Sequence, residues 1–325
     1  MRGKIGLFAG IIILAVLVAA AGTAYYLTPA TEGRRTLVVS TTTSLYDTGL
    51  LDAIEEVFEQ EYPIDVYFIS IGTGQAIEHA KRGDADVILV HSPSSEESFL
   101  TGGYGVCRKI IAYNFFTIVG PEDDPAGIKG LEAAEALKAI VNAGRDGKAK
   151  WVSRGDNSGT HVKEKALWST AGFDWETLRE ESWFIESGTG MGRTLLIAQE
   201  TGAYTLADIG TYLKYYKDGH ISLKPLVEQD KGLLNVYSVM AVNPEKVEGV
   251  SFEDAVTFIK FLISDKCQTL IGNFKKEEYG QSLFNPAVKI LKEENTIAEW
   301  IRSYAFFDGY ECPPKYWDGH PELYG

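Results

Sequence analysis

From residue 36 onward, short apolar runs alternate with stretches of helical periodicity. Thr36-Leu37-Val38-Val39-Ser40 predicts a strand, followed by a polar loop over Thr41 to Thr48. Leu50, Leu51, Ile54, Val57 and Phe58 then recur at helical spacing. Ile64 to Ile71 predicts the next strand. Gly72-Thr73-Gly74-Gln75 opens a helix through Ile77 and Ala80, which Gly83-Asp84 ends. Val87 to Val90 is continuously apolar, as a strand buried on both faces requires. Alternation of this kind predicts an α/β fold with a largely parallel sheet.

A second unit of the same kind follows Ile110–Val119. Trp151-Val152-Ser153 predicts a short strand before a glycine-rich loop and a helix. Trp183-Phe184-Ile185 precedes Ser187-Gly188-Thr189-Gly190-Met191-Gly192 and another helix, and Ala203-Tyr204-Thr205-Leu206 precedes Asp208 and a third. Val236 to Val242 predicts a further strand. The last third reads as mostly helical, most clearly from Phe252 to Ile271.

The N-terminus carries an address. Arg2 and Lys4 precede Ile5 to Thr31, which has no charged side chain. A basic start, an apolar middle and small residues after it have the form of a secretory signal. The stretch is also long enough to span a bilayer. Residues 1–35 are therefore expected to be a cleaved signal or a retained anchor plus linker, and both alternatives stay open. Either one places the remainder outside the cytoplasmic membrane.

Composition narrows the function classes. The 325 residues are 45% hydrophobic and 23% charged, an ordinary globular balance whose length suggests two domains. Lys plus Arg number 31 and Asp plus Glu 45, a net charge of −14. A broad basic surface for nucleic acid is excluded. Residues 1–33 hold Arg2, Lys4 and Glu32, so the rest carries −15. An anion site in such a chain must rely on local donors rather than on the overall field. Cys107, Cys267 and Cys312 fit no zinc spacing, and one disulfide of undetermined pairing is compatible with them.

The candidate chemistry repeats at strand-to-helix junctions. Ser40-Thr41-Thr42-Thr43-Ser44, Gly72-Thr73-Gly74, Asp156-Asn157-Ser158-Gly159-Thr160 and Gly188-Thr189-Gly190 all set hydroxyls at a helix start, mostly beside glycine. A helix start presents unpaired N–H groups and the positive end of the helix dipole. Glycine admits close approach, and Ser or Thr adds a donor without charge. Such a loop holds a compact oxyanion. Each junction alone also reads as ordinary helix capping. Four together, at the carboxyl ends of strands, point to one cleft.

The run Ser153-Arg154-Gly155-Asp156-Asn157-Ser158-Gly159-Thr160-His161 resembles the oxyanion loop of phosphate-type solute-binding proteins. With Thr41-Thr42-Thr43-Ser44, and with Tyr279-Gly280-Gln281-Ser282-Leu283-Phe284-Asn285-Pro286, it is similar to the tungstate-binding family of ABC-importer receptors. The resemblance covers about Thr36 to Val288 and leaves out the aromatic extension from about Leu291 to Gly325. It implies a type II periplasmic-binding-protein fold, in which two α/β lobes are joined by two crossing strands and hold the ligand in the cleft. The crossings are expected near Ile110–Val119 and Val236–Val242. Lobe one would comprise residues 36–112 and 240–325, and lobe two residues 113–239.

The resemblance also implies roles. Thr42, Thr43, Ser44 and Thr73 would donate from lobe one. Arg154, Ser158, Gly159 and Thr160 would clamp from lobe two, with Thr189 and Gly190 at the next junction. Tyr204 matches a strand-end tyrosine that lines related molybdate sites. Asp156 would orient Arg154 from behind. The ligand would be tungstate or molybdate, no cofactor is implied, and the partner would be a membrane permease. The receptor itself would act as a monomer.

The choice of oxyanion has a chemical basis. Hydrogen phosphate carries a proton, and its receptors use a carboxylate acceptor after the third strand of lobe one. Here that stretch reads Val90-His91-Ser92-Pro93-Ser94-Ser95, with no carboxylate before Glu96. A dianion without a proton is favoured, which leaves tungstate, molybdate and sulfate. The resemblance selects tungstate. His91 is read either as a donor to the anion or as a structural residue. The alternatives are a phosphate- or sulfate-binding protein and, further off, a secreted hydrolase using Ser158 and His161. No Gly-x-Ser-x-Gly elbow or Walker lysine motif supports an enzyme. Adhesion through Arg154-Gly155-Asp156 has no support beyond the tripeptide.

Overall fold

A computed structural model describes residues 33–156 and 158–325. The expected signal or anchor and Asn157 lie outside the described residues. Among the described residues, no helix is long and apolar enough to cross a membrane.

Ten strands build the frame: β1 (Arg35–Thr42), β2 (Ile64–Ile71), β3 (Val87–Val90), β4 (Gly105–Gly120), β5 (Trp151–Ser153), β6 (Phe184–Glu186), β7 (Thr205–Asp208), β8 (Lys224–Val227), β9 (Leu234–Val242) and β10 (Asn285–Pro286). The main sheet runs β10-β4-β9-β3-β1-β2, and β7 and β8 also pair with β4. β5 and β6 pair in parallel, and a bridge from Trp151 to Tyr204 sets them beside the start of β7.

β4 organises the molecule. From Gly105 to Phe115 it pairs with β9, and from Phe116 to Gly120 it pairs with β7 and β8. One strand of 16 residues thus belongs to two sheets, and it is buried along nearly its whole length. Each sheet has its own core. Leu37, Val39, Leu51, Ile54 and Phe58 pack with Phe258 and Ile259 on one face of the first. Ile77, Ile88, Val90, Met240 and Phe307 cover its other face. Leu137, Ile140, Trp151, Trp168 and Trp183 pack around the second.

The sheet is mixed rather than largely parallel. β1–β3 and β5–β6 are parallel, while β9 is antiparallel to β3 and every recorded pairing of β4 is antiparallel. The long strands run back through sheets whose local units are strand–helix repeats, so unit-level alternation did not reveal them. The expected helix from Phe252 to Ile271 is two helices, Phe252–Leu262 and Asp265–Asn273. Ser264 separates them, its hydroxyl accepting from Cys267 N at 3.3 Å and capping the second. Cys107, Cys267 and Cys312 are all buried free thiols, so no disulfide joins them.

The C-terminal extension packs against β4 at a point where the strand is irregular. The β4–β9 register shifts between Val106 and Lys109 and again between Ile110 and Ala112. Glu311 fills the gap. Its carboxylate accepts from Ile110 N and pairs with Lys109 Nζ at 2.7 Å. Arg108 donates to the Glu311 carbonyl and forms a fully buried ion pair with Glu96 at 2.8 Å. Tyr324 OH donates to Arg108 O at 2.6 Å.

Candidate functional site

β1 and β3 run in parallel, with Thr41 opposite Leu89, so their carboxyl ends lie side by side. Thr41 spends its hydroxyl on Leu89 O. Thr42 and Ser44 follow, at and within the one-turn helix Thr43–Tyr46, with their hydroxyls 3.4 Å apart. Ser44 Oγ lies 3.3 Å from Nε2 of His91, the residue just after β3. Thr43 is exposed beside them. Thr73 opens the helix Thr73–Arg82 after β2, the strand next to β1.

The second donor set starts at the end of β5. Ser158 caps the helix Gly159–Thr170, its hydroxyl accepting from His161 N at 3.3 Å. Ser158 N donates to Asp156 Oδ1 at 3.1 Å, and Arg154 donates to Asp156 Oδ2. Burial opposes ionisation of Asp156. The Ser158 hydroxyl and the Arg154 charge outweigh it and hold this carboxyl below its ordinary range. Arg154 keeps only 12% of its side chain exposed, and its Nε is buried with no hydrogen-bond partner among the described residues. A buried unpaired guanidinium N–H is costly unless something accepts from it.

These sets meet. A Cβ placed on Gly159 would stand 3.3 Å from Cε1 of His91 and 3.6 Å from Nε2. The start of the Gly159–Thr170 helix therefore lies directly against the ring that holds Ser44. The third junction joins from the other side. Gly188 N and the Ser187 hydroxyl both donate to Arg154 O, at 2.9 and 3.2 Å, just before Thr189 and Gly190. Gly190 caps the helix Met191–Thr201. Thr160 is buried in the first turn of the Gly159–Thr170 helix.

Tyr204 does not join them. It is fully buried, at the amino end of β7 rather than at the carboxyl end where Asp208 sits. Its hydroxyl donates to Asp124 at 2.8 Å and accepts from Ala126 N at 2.9 Å. Its ring fills the space beside Gly120, where a Cβ would come within 2.4 Å. The tyrosine is a core residue, because its strand is entered from the end opposite the site.

Several neighbours gave no signal in the sequence. Asn235, at the start of β9, contacts His91 Nδ1 at 2.8 Å and is itself tied to Asn114 and Tyr237. Lys163 reaches from the Gly159–Thr170 helix to Leu234 O at 2.9 Å, and burial brings its ammonium down to about 8. Asp208 caps the helix Ile209–Lys217 through Thr211 N at 2.8 Å. Residues distant in sequence supply these contacts, and local patterning does not show them.

Glu164 locks the Gly159–Thr170 helix to β5. Trp151 Nε1 and Trp168 Nε1 donate to one carboxylate oxygen at 2.9 and 3.2 Å, and Ser153 Oγ donates to the other at 2.9 Å. The Arg154 backbone amide also bonds to this carboxylate. Burial still raises its pKa to about 7, from an ordinary 4.5. The folded state thus holds this proton more tightly than the unfolded chain. The associated stability is complete below the ordinary value and is lost as pH rises through 7, by up to about 3 kcal/mol. We expect urea unfolding from pH 5 to 8 to show this decline in the native chain and its absence in Glu164→Gln. Parallel pH profiles would refute the assignment.

Ser158 and His161 do not form a nucleophile–base pair. The backbone N–H of His161 serves the serine, while the ring is buried against Trp175 at 4.8 Å between centroids. Among the described residues, no group of three or more His, Cys, Asp or Glu is arranged to hold a metal ion.

Comparison with known proteins places this arrangement. A profile described as a PBP superfamily domain matches residues 28–266. The tungstate-binding protein TupA of Peptoclostridium acidaminophilum is 41% identical over 256 residues, 79% of this chain and 87% of that protein. A putative ABC transporter anion-binding protein of Haloferax volcanii is 45% identical over 269 residues, 82% of this chain and 75% of its own. Among solved structures, the tungstate-binding protein TupA from Desulfovibrio alaskensis G20 superposes with a TM-score of 0.71 at 41% identity, covering 78% of this chain and 98% of that one. The fold is the type II periplasmic-binding-protein fold, and the chain belongs to the PBP superfamily and, within it, to the family of the tungstate-binding proteins TupA.

Proposed function

We propose that this protein is a receptor that captures tungstate outside the cytoplasmic membrane and delivers it to an ABC permease. It works as a monomer and binds molybdate as a close analogue. It is not an enzyme and needs no cofactor. The reading rests chiefly on one observation: the Thr42–Ser44 loop meets, at His91, the start of the Gly159–Thr170 helix, which Asp156 ties to Arg154, whose buried Nε has no hydrogen-bond partner among the described residues. The names and identities of the relatives support tungstate as the anion.

In this reading Thr42, Thr43, Ser44 and Thr73 donate from lobe one, residues 36–112 and 240–325. Arg154, Ser158, Gly159, Thr160, Thr189 and Gly190 donate from lobe two, residues 113–239. The transfer of β4 from β9 to β7 and β8 after Phe115 supports such a division. The lobes close on the anion and expel water, which strengthens every bond inside. Each hydrogen bond to a charged group contributes about 1.5–3 kcal/mol, so about seven give roughly 10–20 kcal/mol before ordering costs, a range that spans the roughly 12 kcal/mol of nanomolar affinity.

Isothermal titration with tungstate, molybdate, sulfate and phosphate at matched pH tests the reading. The expected order puts tungstate and molybdate far ahead of phosphate. Tight phosphate binding with none of tungstate would overturn it.

A further inference from the structure

His91 lies where the two donor sets touch, and the hydrogen-bond network fixes which of its nitrogens carries hydrogen. Nδ1 stands 2.8 Å from Asn235 Oδ1. Asn235 spends both amide hydrogens elsewhere, on Asn114 Oδ1 at 3.0 Å and on the Tyr237 hydroxyl at 2.8 Å. It therefore turns only an oxygen towards the ring, and Nδ1 must be the donor. In the neutral imidazole, Nε2 is then left with a lone pair. Its partner at 3.3 Å is Ser44 Oγ, which must point its hydrogen at the ring. An acceptor thus sits among donors, and it occupies the hydrogen of a hydroxyl assigned to the anion.

Resting on the tungstate reading above, we propose that His91 takes up a proton as the anion is captured, changing from acceptor to donor and releasing the Ser44 hydroxyl to the ligand. The proton comes from solvent and goes to Nε2. The new N–H donates to an oxyanion oxygen, and Ser44 rotates its hydrogen the same way. One N–H bond forms as an O–H bond of hydronium or of a buffer acid breaks, no heavy-atom bond changes, and each anion enters with one proton.

The surroundings favour this change. Burial, together with the Lys163 charge, holds His91 down to about 4, against the opposing bond from Asn235. Lys163 approaches from the Gly159–Thr170 helix. Asn235 and Tyr237 face the ring from β9, and Ser44 from the first loop. The nearby carboxylates are engaged elsewhere: Asp156 by Arg154 and Ser158, Asp208 by Thr211, and Glu96 by Arg108. A divalent oxyanion supplies the counter-charge that an imidazolium lacks here. Its binding raises the histidine pKa. Affinity therefore increases as pH falls through the bound-state value, by at most about tenfold per pH unit, and levels off near the free-state value.

The test is titration of the full chain with micromolar sodium tungstate at pH 6.5, 7.5 and 8.5, in pairs of buffers with different ionisation enthalpies. The heats are expected to differ between buffers by an amount equal to an uptake of about half to one proton at pH 6.5. The Kd should weaken about three- to tenfold per pH unit where uptake persists. His91→Gln should lose both the uptake and the slope. Histidine 15N NMR gives a readout free of substitution: tungstate should move the Nε2 resonance of His91 from its lone-pair-bearing to its protonated position. Tight binding with equal heats in both buffers and a flat Kd would overturn the inference alone, as would an unmoved Nε2 resonance or uptake that survives in His91→Gln. Failure to bind any oxyanion at any pH would overturn the receptor reading, and this one with it.

Discussion

Arg154→Ala is expected to weaken tungstate binding by about a hundredfold while leaving the thermal transition in place. Two effects combine. The substitution removes charge-assisted donors, each worth about 1.5–3 kcal/mol, from a site inside an acidic chain. It also strips Asp156 of its cationic partner and leaves that carboxylate with Ser158 alone. Both effects fall on the bound state, so the loss should appear mainly in the dissociation rate. Arg154→Lys restores the charge but not the planar fork and should recover only part of the affinity. Titration of both variants, with circular dichroism melts as the control, provides the check. A Kd within twofold of the native value would remove the guanidinium from the site.

The second large effect concerns stability. Glu96→Ala should destabilise the chain by about 3–5 kcal/mol, because it leaves the Arg108 guanidinium buried without its counter-charge. Glu96 also accepts from Ser92 N at 2.8 Å at the start of the helix Pro93–Thr101, so a cap is lost as well. Replacing both partners, as Glu96→Leu with Arg108→Met, removes the uncompensated charge and should recover most of the loss. Urea denaturation of the single and double variants separates the two outcomes. A single variant less than about 1 kcal/mol below the native chain would show that Arg108 finds another partner.

The short strands were legible because each is dominated by apolar, β-branched or aromatic residues, without a break at Val87–Val90 and with Asp65 and Ser70 as the polar positions of Ile64–Ile71. Ile64–Ile71, Val87–Val90 and Trp151–Ser153 match their sequence patterns residue for residue. β4 was legible only in its second half. Its first half holds Arg108 and Lys109, whose charges read as a loop until Glu96 and Glu311 are seen to neutralise them. The helix-start hydroxyls were legible as a class, because glycine and hydroxyl residues at a strand end carry a local meaning. Tyr204 shows the limit of that signal: the sequence places it on a strand but does not say which end of the strand meets the site. The Nδ1–H tautomer of His91 was not legible, since it is set by an asparagine 144 positions away.

The bond from Ile110 N to the Glu311 carboxylate joins positions 201 residues apart. Pairing at that separation carries a large loop-closure cost and forms late. A ribosome supplies residues in order, so the irregular stretch of β4 waits for its last backbone partner until residue 311 has been made. The first sheet of this protein is therefore begun by its earliest strands and sealed only by a residue that follows the last of them.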